Sequence, residues 1–245
     1  MRIAHASIDE HNKTKGGETG NQTGKEVCIR KWYDKPWTIV LRHPSKQIRE
    51  KIAYVAEIIA SPPVNQLIGY DQDNRNSLHE AAKRHGYDLK DFIGAHELSE
   101  TDCSAFATCV CLFAGIHELE YTGNAPTTST MKSAFERAGF EVITNNRICG
   151  SDAYLTKGDI LVKPGYHTVI ALDDGPMYNK TIMVYPAYTG NSDSIVEALK
   201  EMHINSSKVH RAKIYAKNFE DKYTYSAVQN MKMLSKLKAG TLIRP

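Results

Sequence analysis

The chain has 245 residues, of which 41% are apolar, enough to bury one substantial core and leave over a second small module. A formal net charge of +3 is too slight to point to nucleic acid or a membrane surface. No stretch approaches the roughly 18 apolar residues of a membrane span, and the opening Arg2-Ile-Ala-His-Ala-Ser-Ile-Asp-Glu10 lacks the apolar run of a secretory signal. The expectation is a chain made in the cytoplasm without a signal peptide. Residues 187–245 hold ten Lys and Arg against five Asp and Glu, so the basicity is concentrated there. The five cysteines at 28, 103, 109, 111 and 149 form no disulfide framework, and Cys109-Val-Cys111 alone is short of the four ligands of a structural zinc. Reduced thiols are expected, with no metal and no cofactor.

Residues 1–42 are rich in turn formers, Lys15 to Gly24 above all, followed by strand-like Val27-Cys-Ile-Arg30 and the aromatics Trp32, Tyr33 and Trp37. These rings read either as a carbohydrate or peptide platform or as buried anchors. From Ser45, the spacing of Ile48, Ile52, Val55 and Ile59 predicts a helix that ends before Pro62-Pro63. Ser77 and Glu80 predict a capping box for a short helix closed by Gly86. Asp102 to Gly115 is apolar almost all round, begins with a capping residue and predicts a buried central helix. A helix at about Ser129 to Ala138 precedes strands at Glu141 to Thr144, Asp159 to Lys163, Tyr166 to Leu172 and Thr181 to Tyr185. Helices first and antiparallel strands after give an α+β layout. Helical periodicity returns after Pro186 at about Ser192 to Met202, Ser206 to Asn218 and Ser226 to Lys238. This predicts a three-helix module in residues 187–245, with Ile195, Leu199, Ile214, Met231, Leu234 and Leu237 in its core.

Cys103 falls in the first turn of the central helix, where unpaired N–H groups and the macrodipole favour a thiolate. Cys109 and Cys111 lie deeper in the same apolar helix, where desolvation keeps a thiol inert. His167 opens the second of two strands joined by a turn at Pro164-Gly165, well placed to face the end of a packed helix. A thiol and an imidazole so disposed form the pair needed for nucleophilic catalysis.

Asp102-Cys103-Ser104 at a helix start, followed by Gly158-Asp159-Ile160 and His167-Thr-Val-Ile on consecutive strands, resembles the NlpC-type papain-like cell-wall peptidases over roughly Ile68 to Tyr185. The resemblance implies a papain-like core of helices on an antiparallel sheet in residues 1–186, and acyl transfer on the peptide stem of peptidoglycan. Cys103 would be the nucleophile, His167 the base and the Cys103 N–H the oxyanion donor. Such peptidases place a third polar residue on the strand after the base. Thr181 to Tyr185 holds no His, Asn or Gln, and Asp173 lies too far along its strand; a hairpin turning near Pro176-Met177 would set Tyr185 or Pro186 opposite His167, which makes Tyr185 the candidate orienter. Tyr70 resembles the tyrosine placed upstream of the cysteine near the cleft, and with Asp102 and Ser104 it is a candidate substrate contact.

The glycines at 16, 17, 20 and 24, the catalytic core and the basic segment from Thr189 to Leu199 also resemble phage and prophage endolysins of Gram-positive, clostridium-like bacteria. That resemblance implies a C-terminal cell-wall-binding module, attraction to anionic wall polymers, and action at the wall after holin-dependent release. No nucleic acid partner is expected. Rivals stay open: an N-acetylmuramoyl-L-alanine amidase or acyl transferase on the same site, or a non-catalytic wall- or DNA-binding protein. In the DNA case, Lys208, Arg211, Lys213 and Lys217 would sit on a helix-turn-helix.

Overall fold

In the computed structural model, which describes residues 1–178, 184–219 and 221–245, the chain divides into two units, Met1–Asn179 and Lys180–Pro245. The first runs β1 (Arg2–Ala6), β2 (Val27–Lys31), β3 (Ile39–Arg42), α1 (Lys46–Ile59), β4 (Ile68–Tyr70), α2 (Ser77–Arg84), α3 (Leu89–Ala95) and β5 (Ser99–Thr101). It continues through α4 (Cys103–Phe113), α5 (Met131–Arg137), β6 (Glu141–Ile143), α6 (Asn146–Cys149), β7 (Ile160–Lys163) and β8 (His167–Ala171). The second holds α7 (Ile195–Glu201), α8 (Lys208–Asn218) and α9 (Ala227–Lys238). Among the described residues, no helix is long and apolar enough to cross a membrane.

Six strands form one antiparallel sheet in the order β2-β1-β8-β7-β3-β6, and β4 pairs with β5 in a small parallel one. The class is α+β, but the helices do not come first: three strands precede α1, and β1 is inserted between β2 and β8. Strand side chains alternate faces. Ala4, Leu41, Ile160, Val162 and Ile170 join a cluster with α1 and α4, while Ile3, Val40, Leu161, Val169 and Ala171 join a second cluster with Trp37. The sheet is buried on both sides, so these strands read as apolar runs. α4 packs against β8, β1, α1 and α2, and all eleven of its residues are buried, the reason for its apolar composition.

Ser45 caps α1, accepting the Ile48 N–H. The capping box at Ser77 does not form: Asn76 is the N-cap, and the Ser77 hydroxyl accepts the Glu100 N–H from β5 instead. Asp159 is fully buried, receives a bidentate pair from Arg42 at 2.8 and 2.6 Å, and ties the start of β7 to β3.

In the second unit, Ser194, Ser207 and Ser226 cap the three helices, each hydroxyl accepting the N–H three residues on. Ile195, Leu199, Ile214, Leu234 and Leu237 are buried. Met231 is 64% exposed, and Met233 takes its place in the core. Two residues along a helix turn the side chain by about 200°, so Met233 joins Leu234 and Leu237 on one stripe while Met231 faces away.

Candidate active site

The site is built around the start of α4. Asp102 caps the helix with Oδ1, which accepts the N–H groups of Ser104 at 2.9 Å and Ala105 at 2.7 Å. Its charge is met by Arg75, whose Nε lies 2.7 Å from Oδ2 and whose Nη2 donates to the Ser104 hydroxyl at 2.7 Å. The third Arg75 nitrogen, Nη1, donates to the Ala125 carbonyl at 2.9 Å. Asp102 and Ser104, expected as substrate contacts, thus hold the helix start in place while also lining the cleft beside it.

Cys103 is the first residue of α4 and 6% exposed. The expectation that its helix position lowers the thiol pKa is overturned. Burial first, and the adjoining Asp102 charge second, push it up to about 12, against the opposing pull of the Thr168 and Ser104 backbone N–H groups that face the sulfur. Burial alone drives Cys109 up as well, and in Cys111 it is the main cause, as expected for packing groups. The five cysteines are unpaired, and among the described residues no group of three or more His, Cys, Asp or Glu could hold a metal.

Thr168 follows His167, the first residue of β8, so the thiol and the imidazole flank the mouth of one strand. The turn before it places Gly165 at φ +76°, a conformation natural to glycine. The His167 ring is stacked on Trp37, at 6.2 Å between centroids and 30° between planes. Its Nε2 lies 3.2 Å from Nδ1 of His5, a β1 residue 2% exposed, and the His5 Nε2 lies 3.5 Å from the Cys28 sulfur on β2. Tyr33 meets the His5 ring edge-on at 6.5 Å, and its phenol is held up by burial and, more weakly, by Cys103 and Cys28. Burial lowers both imidazoles, His167 to about 3 and His5 to about 4, with Lys35 and Arg30 acting in the same direction. At neutral pH the site therefore holds a thiol and two neutral rings. No direct hydrogen bond joins Cys103 to His167 in this structure; such contacts often tighten only when substrate is bound.

The ring that meets His167 Nε2 is His5, on β1. Val184 bridges to Ile243 and the Tyr185 N–H donates to the Leu242 carbonyl, so the described end of the expected Thr181 to Tyr185 strand pairs within the second unit, residues 181–183 lying outside the described ones. The Tyr185 hydroxyl is 3.0 Å from Nε2 of His210. Asp173 pairs with Arg2. The residue that sequence reasoning missed is His5. Its signal was a lone polar ring in an otherwise apolar strand, Ile3-Ala-His-Ala6, and a search confined to strands downstream of the base passes over it.

Tyr70, on β4, is buried with its hydroxyl accepting from Gln72 at 3.3 Å; burial first and Cys103 second raise its pKa, so the phenol stays protonated. Trp37 is a buried anchor of the imidazoles, not a surface platform. The glycine-rich loop lies along β4, because a side chain at Gly17 would meet the Tyr70 carbonyl at 2.5 Å. That close approach brings Lys15 to a cleft of about 420 Å³, whose walls include Gln72, Arg75, Cys103, Thr127, Thr128, Ser129 and the exposed Tyr166.

Fold and site together define an α+β protein with a thiol at a helix start and paired imidazoles on neighbouring strands. The chain belongs to the endolysin-like domain family, whose model matches residues 3–178. The matched span contains Cys103, His167 and His5, and ends before the second unit. Membership suggests a wall-lytic enzyme with peptidoglycan as its substrate. No curated protein and no solved structure matches the chain.

Proposed function

We propose that the chain is a peptidoglycan hydrolase of NlpC type that cleaves an amide bond of the stem peptide, with Cys103 as nucleophile and His167 as base. The observation that carries this is the Cys103 sulfur lodged against Thr168, next to His167, and lining an open cleft in a chain of the endolysin-like family. A neutral His167 takes the thiol proton as the sulfur attacks the carbonyl carbon, then returns it to the leaving amine. Water, activated by the same ring, hydrolyses the thioester. The Asp102 cap uses the Ser104 and Ala105 N–H groups, which leaves the Cys103 N–H for the developing oxyanion, with the protonated Tyr70 hydroxyl close to the same sulfur. His5 holds the His167 ring through its Nε2. Purified wall digested with the enzyme and read by mass spectrometry identifies the bond from the new termini. Cys103→Ala is expected to abolish their appearance; turnover surviving that change, or surviving iodoacetamide, removes the nucleophile. An N-acetylmuramoyl-L-alanine amidase or acyl transferase would use the same residues and differ only in the termini found.

The second unit, on this proposal, binds anionic wall polymers, and the enzyme reaches the wall after holin-dependent release. Support comes from its ten basic against five acidic residues in 187–245. The DNA-binding rival is weakened by Arg211, whose guanidinium donates to the Tyr223 hydroxyl, Asn230 and the Ser206 carbonyl and is largely buried. Sedimentation with purified walls should fall as salt rises; retention on DNA but not on walls would reverse the assignment.

A further inference from the structure

Three strands carry a line of side chains that leads from His167 across the sheet to Cys28. Cys28 and His5 are direct cross-strand partners in the β1–β2 ladder, and β1 pairs with β8, whose first residue is His167. The contacts run Cys28 Sγ to His5 Nε2 at 3.5 Å, then His5 Nδ1 to His167 Nε2 at 3.2 Å. With both rings neutral, each carries one N–H and one lone pair, and the hydrogen at one end of the line fixes every other.

We infer that Cys28 is a positioning residue that locks the tautomers of the imidazole pair by accepting the His5 Nε2–H with its sulfur. This rests on the proposal that His167 acts as the base. If His5 bears its hydrogen on Nε2, its Nδ1 lone pair faces His167 and accepts that ring's Nε2–H. The free lone pair of His167 is then on Nδ1, the nitrogen left to take a proton from Cys103. If Cys28 instead donated to His5, both hydrogens would shift to Nδ1 and the base would present an N–H where it needs a lone pair. Burial holds the Cys28 thiol above its ordinary range, so the sulfur stays uncharged and keeps lone pairs with which to accept. After proton transfer, the imidazolium of His167 keeps donating Nε2–H to His5, and His5 keeps donating to Cys28, so no hydrogen has to move along the line.

The test combines imidazole nitrogen NMR with kinetics. In long-range proton–nitrogen spectra of the full chain at neutral pH, assigned with His5→Gln and His167→Gln, both rings should be Nε2–H tautomers. Cys28→Ala should mix the tautomers of His5 and lower kcat about three- to tenfold, the range of one ordinary hydrogen bond, with KM unchanged. Cys28→Ser, whose hydroxyl can accept the same N–H, should restore both. A His5 ring bearing its hydrogen on Nδ1 in the parent protein overturns the inference, as does Cys28→Ala with unaltered tautomers and kcat. A parent protein that digests no wall overturns the functional proposal alone, because the spectra still decide the tautomers.

Discussion

Acid should loosen the first unit through its two buried imidazoles. In the unfolded chain each ring titrates near 6.5, while burial holds His167 at about 3 and His5 at about 4. Between those values and 6.5 the folded protein binds fewer protons than the unfolded one. The rings' contribution to stability is therefore full above pH 6.5, declines as the pH falls, and levels off once the folded rings protonate near 4 and 3. At about 1.4 kcal/mol per pH unit, going from pH 7 to pH 5 costs on the order of 2 kcal/mol for each ring and about 4 for the pair. That is a large part of the roughly 5–15 kcal/mol that holds a domain folded. Urea unfolding followed by tryptophan fluorescence reads this unit, since both tryptophans, Trp32 and Trp37, lie in it. A His5→Gln, His167→Gln double variant should lose most of the pH dependence, whatever its stability at pH 7. Glu26, Glu100 and Asp159, raised by burial, work in the opposite direction, and they cancel in the comparison. A double variant that loses as much stability between pH 7 and pH 5 as its parent refutes the burial argument.

Arg75→Ala leaves the Asp102 carboxylate buried without its cation and should destabilise the first unit by about 3–5 kcal/mol in the same unfolding assay. Met233→Ala should cost about 2–4 kcal/mol in calorimetry, against less than about 0.5 for Met231→Ala, because only Met233 is in the core. His5→Ala should lower kcat at least about tenfold in the wall-digestion assay, since the His167 ring then loses the group that orients it; an unchanged kcat would remove His5 from the site.

The elements legible in the sequence were those whose signals are local. α1 follows from a 4-3-4 apolar spacing, α4 from an aspartate cap before a run with no polar face, and the three C-terminal helices from the return of helical periodicity after Pro186. β1 was illegible because five residues with one histidine look like nothing until they lie beside β8, and α3 because seven residues carry too few turns to show a period. The places of Cys103 at a helix start and of His167 at a strand mouth were legible in the sequence. Their pKa values were not, because the dipole at a helix start is a local property while desolvation depends on everything packed above it. His5 escaped notice for a related reason: strand order along the chain was taken for order in the sheet, and the neighbour of β8 comes from the other end of the unit.

The pairing of β1 with β8 also sets a timetable. His5 and His167 are 162 positions apart, so while the chain is being synthesised the first imidazole waits, without its neighbour, for nearly the whole unit to follow. Closing so long a loop comes late in folding, after the local helices have formed. A chain still on the ribosome, or one cut before β8, would carry the thiol and His5 yet lack His167.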